Sequence, residues 1–324
     1  MIESLNNKKV LVTGGAGFIG SNLVEALLNL DAVVTVFDNL ETGKLSNLAE
    51  FESNPNFTFI QGDLRNVEDC QKAVKGIDVI SHQAALGSVP RSIEFPHNTH
   101  AVNATGFLNM LHAAKEEGIK RFVYASSSSV YGDSVISPKF IGSEGKLLSP
   151  YAVTKQLNEK YANVYTLLHQ METVGLRYFN VFGNKQDPHG VYAAAIPRFL
   201  EAMLNGGKIT INGDGEQTRD FTYVKNAVKA NILALSTDNT DCFGKVYNVA
   251  CGKYFTLNSV ISSIQDILVE QNRFNPKTII EHGPDRMGDI KHSLADISET
   301  INDLGYNDVY QFNEGIKEYL SQKD

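Results

Sequence analysis

A tyrosine and a lysine four residues apart are the first side chains in this sequence whose types and spacing could do chemistry. Tyr151 and Lys155 occur in the segment LSPYAVTK, where Ser149 and Pro150 are typical of the N-cap and the first residue of a helix. One helical turn separates the pair, so both side chains leave the same helix face. A fixed ammonium favours the phenolate of a nearby tyrosine, which can then act as a general base. Because such pairs also occur on ordinary helix surfaces, the interpretation needs partners elsewhere.

A run of serines over residues 126–129 supplies the next candidates. It begins with the last two residues of the β-rich segment RFVYASS and continues beyond its end. In open α/β sheets, ligands bind at the carboxyl ends of the strands, so we expect these hydroxyls to reach a ligand site. One of them could share the proton at a reacting oxygen with Tyr151, although any single serine there would also suit a polar turn.

The segment TGGAGFIG near the N-terminus predicts a phosphate cradle. Gly14, Gly17 and Gly20 lie between a short strand and a helix, where they allow a tight turn and a close approach of the backbone to a pyrophosphate. Asp38 follows Gly20 by 18 residues and ends the next strand, where it can accept both ribose hydroxyls of an adenosine. No arginine follows Asp38 directly to neutralise a 2′-phosphate, so the sequence favours NAD over NADP.

Other polar residues leave alternatives open. Asp63 could contact the adenine edge or cap the next helix. We interpret His82 as a core histidine rather than a ligand, and no metal cluster is expected among the eight histidines. Asn103 could bridge two backbone groups or contact the cofactor.

The elements that must position these residues alternate regularly in the first half of the chain. Near-continuous Val, Ile and Phe runs separated by helical patterns predict an α/β fold with a doubly wound parallel sheet covered on both faces. The helix after the glycines carries apolar residues at helical spacing from 19 to 30. The predicted strands cover 9–13, 32–38, 57–63, 78–85, 121–127 and 173–183.

The second half is less regular and predicts a smaller, interleaved C-terminal substrate domain. Helical and strand patterns near 223–235 and 245–250 resume the βα rhythm and could return to the main sheet. We therefore assign residues 1–180 to a Rossmann-type NAD-binding domain, to which residues 222–250 are expected to return. Residues 181–221 and 251–324 are assigned to substrate binding.

Charge and composition exclude several classes of partner. The chain has 324 residues, 29 Lys and Arg, and 37 Asp and Glu, which gives a formal charge of −8. This balance argues against nucleic-acid or anionic-membrane partners, and no apolar run is long enough to span a membrane. Cys70, Cys242 and Cys251 lack metal-ligand spacing and suit a reducing compartment. We expect a cytoplasmic protein.

Together these segments resemble the extended short-chain dehydrogenase/reductases. The resemblance covers essentially the whole chain and is carried by TGGAGFIG, the serine before YG, SPYAVTK, YFNVFG and the late RMGD. Within that superfamily the chain is similar to sugar-nucleotide 4-epimerases, most closely those that act on UDP-N-acetylglucosamine. The resemblance implies bound NAD, a UDP-sugar substrate, transient oxidation to a 4-keto sugar and a homodimer.

The resemblance also implies roles for individual residues. Ser127, Tyr151 and Lys155 would be the catalytic serine, the base and its helper. Cofactor contacts are expected from Gly14, Gly17, Phe18, Ile19, Asp38, Asn39, Gly43, Asp63, Leu64, Ala84, Ala85, Asn103, Tyr151, Lys155 and Tyr178. Substrate contacts are expected from Gly87, Ser88, Ser127, Ser128, Asn180, Gln186, Arg219, Arg286, Asp289 and Ser293. Among these, Asn180 and the two arginines would bind the diphosphate.

The serine run separates the reactions of this superfamily. The similar 4,6-dehydratases carry an Asp-Glu pair in place of Ser128 and Ser129, and UDP-glucuronate decarboxylases carry a Glu in place of Ser129. Uronic-acid epimerases share SSSSVYG and stay an alternative, as does UDP-glucose 4-epimerisation. A sugar-nucleotide reductase and a non-catalytic, redox-sensing NAD-binding protein are the alternatives outside epimerisation.

Substrate choice depends on a few of the implied contacts. Galactose-type epimerases have a bulky tyrosine in place of Ser293, and a serine leaves volume for an N-acetyl group. Gly87, Ser88 and Gln186 would face that group. Gly87 also replaces the lysine that galactose-type enzymes place near the nicotinamide.

Overall fold

The strand-forming runs of the first half build a single large sheet. The computed structural model describes residues 5–189, 193–284 and 292–322. Its strands are β1 (Lys9–Thr13), β2 (Val33–Asp38), β3 (Phe57–Gln61), β4 (Val79–His82), β5 (Arg121–Ser127), β6 (Glu172–Tyr178), β7 (Val181–Phe182), β8 (Lys208–Asn212), β9 (Thr218–Arg219), β10 (Thr222–Tyr223), β11 (Lys245–Val249), β12 (Phe255–Thr256), β13 (Ile279–Gly283) and β14 (His292–Ser293).

Helices cover this sheet and form much of the second half. They are α1 (Phe18–Leu28), α2 (Val67–Ala73), α3 (Val89–Glu94), α4 (Pro96–His100), α5 (Gly106–Glu116), α6 (Pro150–His169), α7 (Ala195–Asn205), α8 (Val224–Ser236), α9 (Leu257–Glu270), α10 (Ser298–Leu304) and α11 (Phe312–Ser321). A π-helical segment, Ala101–Thr105, joins α4 to α5. None of the described helices is long and apolar enough to cross a membrane.

The large sheet has seven parallel strands in the order β11-β6-β5-β4-β1-β2-β3. The order reverses between β1 and β4, and such a switch point leaves a crevice at the carboxyl ends of the strands. The predicted Rossmann-type, doubly wound fold is confirmed. The late strand β11 joins the edge of this sheet beside β6.

Apolar side chains fill both faces of the sheet. One cluster packs α1 and α8 against the sheet, with Leu23, Val36 and Val174 fully buried. A second cluster packs α2 and α5 on the opposite face, around Phe107 and Phe122. Burial of each such side chain stabilises the fold by about 1.5–3 kcal/mol, which holds the strand ends that carry polar residues in place.

The second half has its own apolar cluster and three small sheets. Helices α7, α9 and α11 bury Leu200, Ile264 and Ile316 together. The small sheets pair β7 with β10, β8 with β13, and β9 with both β12 and β14. The last of these sets Ser293 opposite Arg219.

Candidate active site

One large cavity lies at the carboxyl ends of the central strands. Its volume is about 1190 Å³, above the roughly 300–1,000 Å³ typical of a site for a single drug-sized ligand. Residues from β2, β5, α1, α6 and the loops that follow β1 and β4 line one part of the wall, and residues from the second half of the chain line another. The cavity therefore has room for two extended ligands side by side.

Glycines form the floor of the first part. A Cβ on Gly20 would lie 2.2 Å from the carbonyl oxygen of Gly14, so the turn can close only with glycine there. Gly17 is the N-cap of α1, and no side chain caps this helix end or places a negative charge in its first turn. The unpartnered N–H groups and the positive end of the helix dipole suit a phosphate.

Asp38 stands beside this cradle and suits a ribose. One carboxylate oxygen accepts from the N–H of Ala16 at 3.0 Å and the other from that of Leu40 at 2.8 Å. Each oxygen has a further lone pair for a ribose hydroxyl. Burial raises the pKa of Asp38, while the backbone hydrogen bonds lower it. The glycine cradle and this acceptor together fit the adenosine diphosphate part of NAD.

Asp63 also lines the adenosine end, but it does not cap the following helix. It accepts from Asn39 Nδ2 at 3.0 Å and from the Arg65 guanidinium, which lowers the pKa of Asp63 to about 2. The N-cap of α2 is Asn66, whose side chain accepts from the N–H of Glu68. The capping alternative for Asp63 was wrong because Arg65 and Asn39 engage its carboxylate.

Tyr151, Lys155 and the serine run meet on the cavity wall. Ser149 accepts from the N–H of Ala152 and caps α6, so the Tyr151 and Lys155 side chains project from its first two turns. Lys155 Nζ donates to the carbonyl oxygen of Ala125 at 2.8 Å and lies 5.8 Å from the Tyr151 ring centroid. Ser127, at the end of β5, hydrogen-bonds with Tyr151.

The charges at this group differ from the simple expectation for a tyrosine beside an ammonium. Burial raises the pKa of Tyr151, and its hydrogen bond with Ser127 lowers it. Burial lowers the pKa of Lys155 to about 8, and Glu159 opposes that shift. The described chain alone thus keeps Tyr151 protonated, so a phenolate needs a further positive charge close by.

The second part of the wall carries groups that suit an anionic ligand and its sugar. Arg219 on β9, Ser293 on β14 and Asn180 after β6 line the cavity. The Nδ2 of Asn180 donates to the carbonyl oxygen of Asp220 at 2.8 Å, which joins two of these segments. Arg286 and Asp289 lie outside the described residues.

Gly87 and Gln186 line the same cavity, where they provide open space and a hydrogen-bond acceptor for a ligand. A Cβ on Gly87 would meet no atom within 4 Å, so the wall is open there. The Oε1 of Gln186 is buried and has no partner among the described residues, while its Nε2 donates to the carbonyl oxygen of Val181 at 3.3 Å. A ligand N–H or hydroxyl could satisfy this acceptor.

Most predicted site residues line the cavity. Those not yet described are Phe18, Ile19, Leu64, Ala84, Ala85, Ser88, Ser128 and Tyr178. His82 is instead a core residue, as predicted: it packs against Phe107 and Phe122, bonds to Thr13 at 3.0 Å, and burial lowers its pKa to about 3.

Gly43 and Asn103 do not belong to the cavity wall. A Cβ on Gly43 would lie 2.8 Å from the Ala16 Cβ and 3.0 Å from Asp38 Oδ2, so this glycine allows close packing behind Asp38. Asn103 accepts from the N–H of Leu86 at 2.8 Å and donates to its carbonyl oxygen at 3.2 Å. In the structure, Asn103 therefore bridges two backbone groups, which was one of the two alternatives for this residue.

Several wall residues have no counterpart among the predicted ones. Gln83 lines the cavity, and its Oε1 accepts from the Tyr178 hydroxyl at 2.9 Å, while its Nε2 donates to Asn231 at 2.9 Å. Glu41 and Arg91 also line it. Their proximity to Asp38 and Gly87 in the sequence is a signal that could have found the last two, but the contact with Asn231 spans 148 residues and has no local signal.

Comparison with known proteins identifies this kind of site. The model of the NAD dependent epimerase/dehydratase family matches residues 10–250. A solved UDP-N-acetylglucosamine 4-epimerase from Methanobrevibacter ruminantium M1, in complex with UDP-N-acetylmuramic acid, is 40% identical, with 98% of each chain covered and a TM-score of 0.90.

Two further solved structures have different sugars bound. A UDP-glucose 4-epimerase from Thermotoga maritima, with UDP-glucose, is 32% identical over 97% of this chain and 99% of its own, with a TM-score of 0.87. A UDP-glucuronic acid 4-epimerase from Bacillus cereus, with UDP-glucuronic acid and NAD, is 32% identical over 98% of this chain and 100% of its own, also with a TM-score of 0.87. The chain therefore belongs to the NAD-dependent epimerase/dehydratase family, as an enzyme of the UDP-sugar 4-epimerase group.

Proposed function

We propose that this enzyme interconverts the C4 epimers of a UDP-N-acetylhexosamine, UDP-N-acetylglucosamine and UDP-N-acetylgalactosamine. The observation that carries the choice of sugar is the small side chain of Ser293 on the cavity wall. The open wall at Gly87 and the unpartnered Oε1 of Gln186 support it, because an acetamido group needs both volume and an acceptor for its N–H. The 40% identical relative named for the same sugar supports it as well.

In this proposal, Tyr151, Ser127 and Lys155 manage the proton at the sugar C4 oxygen. Tyr151 takes the proton as C4 is oxidised to the ketone and returns it when C4 is reduced. Ser127 hydrogen-bonds with Tyr151 and can hold the same oxygen. NAD, when bound, supplies the hydride acceptor and donor at C4 and a positive ring charge that favours the phenolate. Lys155, fixed by Ala125, adds to that charge.

The remaining wall residues would bind the nucleotide tightly and the sugar weakly. Arg219 and Asn180 would bind the diphosphate, where a guanidinium gives strong charge-assisted hydrogen bonds. The sugar must turn over between oxidation and reduction, so it needs a wide and weakly binding part of the cavity. We also expect a cytoplasmic protein, as the composition predicts, and a homodimer, as the resemblance implies.

The first test is direct turnover. We expect purified enzyme with UDP-N-acetylglucosamine and no added NAD to produce the galacto-configured anomeric signal in the proton NMR spectrum. NAD should stay bound because it is regenerated in every cycle. Tyr151→Phe should abolish the signal while the protein retains NAD, and a Phe variant that still turns over would remove Tyr151 as the base.

The second test addresses the sugar. Ser293→Tyr should lower kcat/KM for the acetylated substrate by roughly tenfold or more, while UDP-glucose turnover is spared, because a filled pocket excludes the larger substrate. Ser293→Ala is the matched control and should act on both sugars like the wild type. An equal loss on both substrates in the tyrosine variant would contradict the role of Ser293 in sugar choice.

A UDP-uronic acid is the second candidate. Arg91 lines the cavity, and a guanidinium is the side chain best suited to a carboxylate. The same NMR assay with UDP-glucuronic acid distinguishes the two substrates. Steady consumption of NADH added to either reaction would indicate a reductase instead.

A further inference from the structure

Glu159 is a buried carboxylate one helical turn beyond Lys155 on α6. Only 8% of its surface is exposed. Its Oε1 accepts from the Ser126 hydroxyl at 2.5 Å and from Arg177 Nε at 2.8 Å, and its Oε2 accepts a second guanidinium nitrogen of Arg177 at 2.8 Å. A buried carboxylate is costly unless several partners satisfy it, so this geometry is strongly determined.

Helix α6 holds three consecutive residues of β5 with side chains at positions i, i+4 and i+8. Tyr151 hydrogen-bonds with Ser127, Lys155 donates to the carbonyl oxygen of Ala125 and Glu159 accepts from Ser126. Residues at these spacings share one helix face. The contact from Glu159 thus fixes the strand at the residue directly before the serine that meets Tyr151.

The charge of Glu159 also acts on Lys155. Burial lowers the pKa of Lys155, and the negative charge of Glu159 is the interaction that raises it again. Arg177 and Glu144, which are joined by a salt bridge, continue the network on its far side. The charged and titratable groups around this cluster, from α6, β4, β5, β6 and the loop before α6, are Tyr151, His82, Tyr124, Arg177, Tyr178, Tyr131 and Glu144.

Three of these groups are neutral at ordinary pH. Burial lowers the pKa of His82 to about 3 and raises the pKa values of Tyr124 and Tyr178. Arg177 is a second cation, and it makes two direct hydrogen bonds with the Glu159 carboxylate. Lys155 donates to Ala125 instead, and Glu159 acts on it through its charge. Loss of the carboxylate would remove that negative charge from the surroundings of Lys155.

We propose that Glu159 is a positioning residue of the active site, which supplies the counter-charge of the Lys155 ammonium and fixes Ser126 so that Ser127 meets Tyr151. This proposal rests on the proposed function in one respect, because it assumes that Tyr151 and Lys155 are catalytic residues. Glu159 itself is not among the residues that line the cavity.

The test replaces Glu159 by glutamine, which keeps the shape of the side chain and removes its charge. In enzyme with NAD bound and ¹³C at the lysine Cε, the Lys155 signal, assigned with Lys155→Arg, reports the titration of this one lysine. We expect Glu159→Gln to lower the pKa of Lys155 by roughly one unit or more. The alkaline limb of the kcat profile, with whichever UDP-sugar is turned over, should move to lower pH by the same amount.

Glu144→Gln is the matched control. It removes the charge of Glu144, the second carboxylate paired with Arg177, and leaves Glu159 in place. The pKa of Lys155 should therefore stay at its wild-type value. An unchanged Lys155 titration in folded Glu159→Gln, or an equal shift in both variants, would overturn the proposal. Because the NMR titration needs no turnover, an inactive wild type would contradict the proposed function without deciding this point.

A second variant covers the case in which Glu159→Gln does not fold. Ser126→Ala keeps the charge of Glu159 and removes its hydrogen bond with β5. We expect kcat to fall by roughly tenfold with KM and the Lys155 titration unchanged. A fully active Ser126→Ala would overturn the positioning of Ser127.

Discussion

Asn103 offers a sharp test of a residue whose role the sequence left open. Its side chain holds both the N–H and the carbonyl oxygen of Leu86, a buried residue at the start of the segment that leads to Gly87. Asn103→Ala leaves both groups without a partner. At roughly 1–3 kcal/mol for each buried unpaired group, the free energy of unfolding should fall by about 2–6 kcal/mol.

The NAD content of the same variant separates this structural role from a cofactor contact. Asn103 does not line the cavity, so the folded variant should retain NAD as the wild type does. Thermal unfolding followed by circular dichroism measures the first effect, and the nucleotide released on heat denaturation measures the second. The variant should be purified well below its unfolding temperature, so that the NAD released on heating reports what the folded protein had bound.

Asn109→Ala is the matched control for this variant. Asn109 donates a single hydrogen bond, to the carbonyl oxygen of Leu64 at 2.9 Å, so its loss should cost about 1–3 kcal/mol. The reasoning is refuted if Asn103→Ala loses NAD but unfolds at the wild-type temperature. That result would mean that Asn103 contacts the cofactor and that its bonds to Leu86 contribute little.

Two further predictions concern the adenosine end of the cavity. The Arg65 guanidinium holds the pKa of Asp63 at about 2, below its ordinary value, so this pair stabilises the fold above about pH 4 and loses that contribution as the pH falls towards 2. Arg65→Ala should therefore weaken the loss of thermal stability from pH 5 to 3, and a slope equal to that of the wild type would contradict it. Gly20→Ala should abolish NAD binding because its Cβ would meet the Gly14 oxygen at 2.2 Å, whereas Gly87→Ala, with no atom within 4 Å, should retain NAD.

Periodicity predicts the first half of the fold well because its signals are local. Strands β1 and β5 have the predicted bounds, and Ser149 caps α6 as its position before a proline indicates. The run at 173–183 is less regular than predicted: β6 ends at Tyr178 because Asn180 adopts a φ of 35°, and a two-residue strand, β7, follows. An asparagine tolerates this left-handed region, which hydrophobic periodicity does not reveal.

The small sheets of the second half could not be predicted in the same way. Strands β9, β12 and β14 have two residues each, too few for an alternating pattern, and they are joined by hydrogen bonds across long stretches of chain. The position of Ser293 opposite Arg219 depends on that pairing. The family resemblance implies that Ser293 and Arg219 belong to one site. Their spacing in the sequence gives no physical reason to place them together.

The distribution of wall residues over elements suits the proposed reaction. The groups that would move the proton lie on β5 and α6, which are packed into the main sheet and tied together by Glu159. The groups that would surround the sugar, Gly87 and Gln186, lie on loops. In the proposed reaction, hydride leaves one face of the sugar C4 and returns to the other face. The groups that move the proton must therefore stay fixed, while the pocket around the sugar must let it turn. For this reason we expect substitutions in the loops to change the choice of sugar, and substitutions on α6 and β5 to change the rate for every sugar.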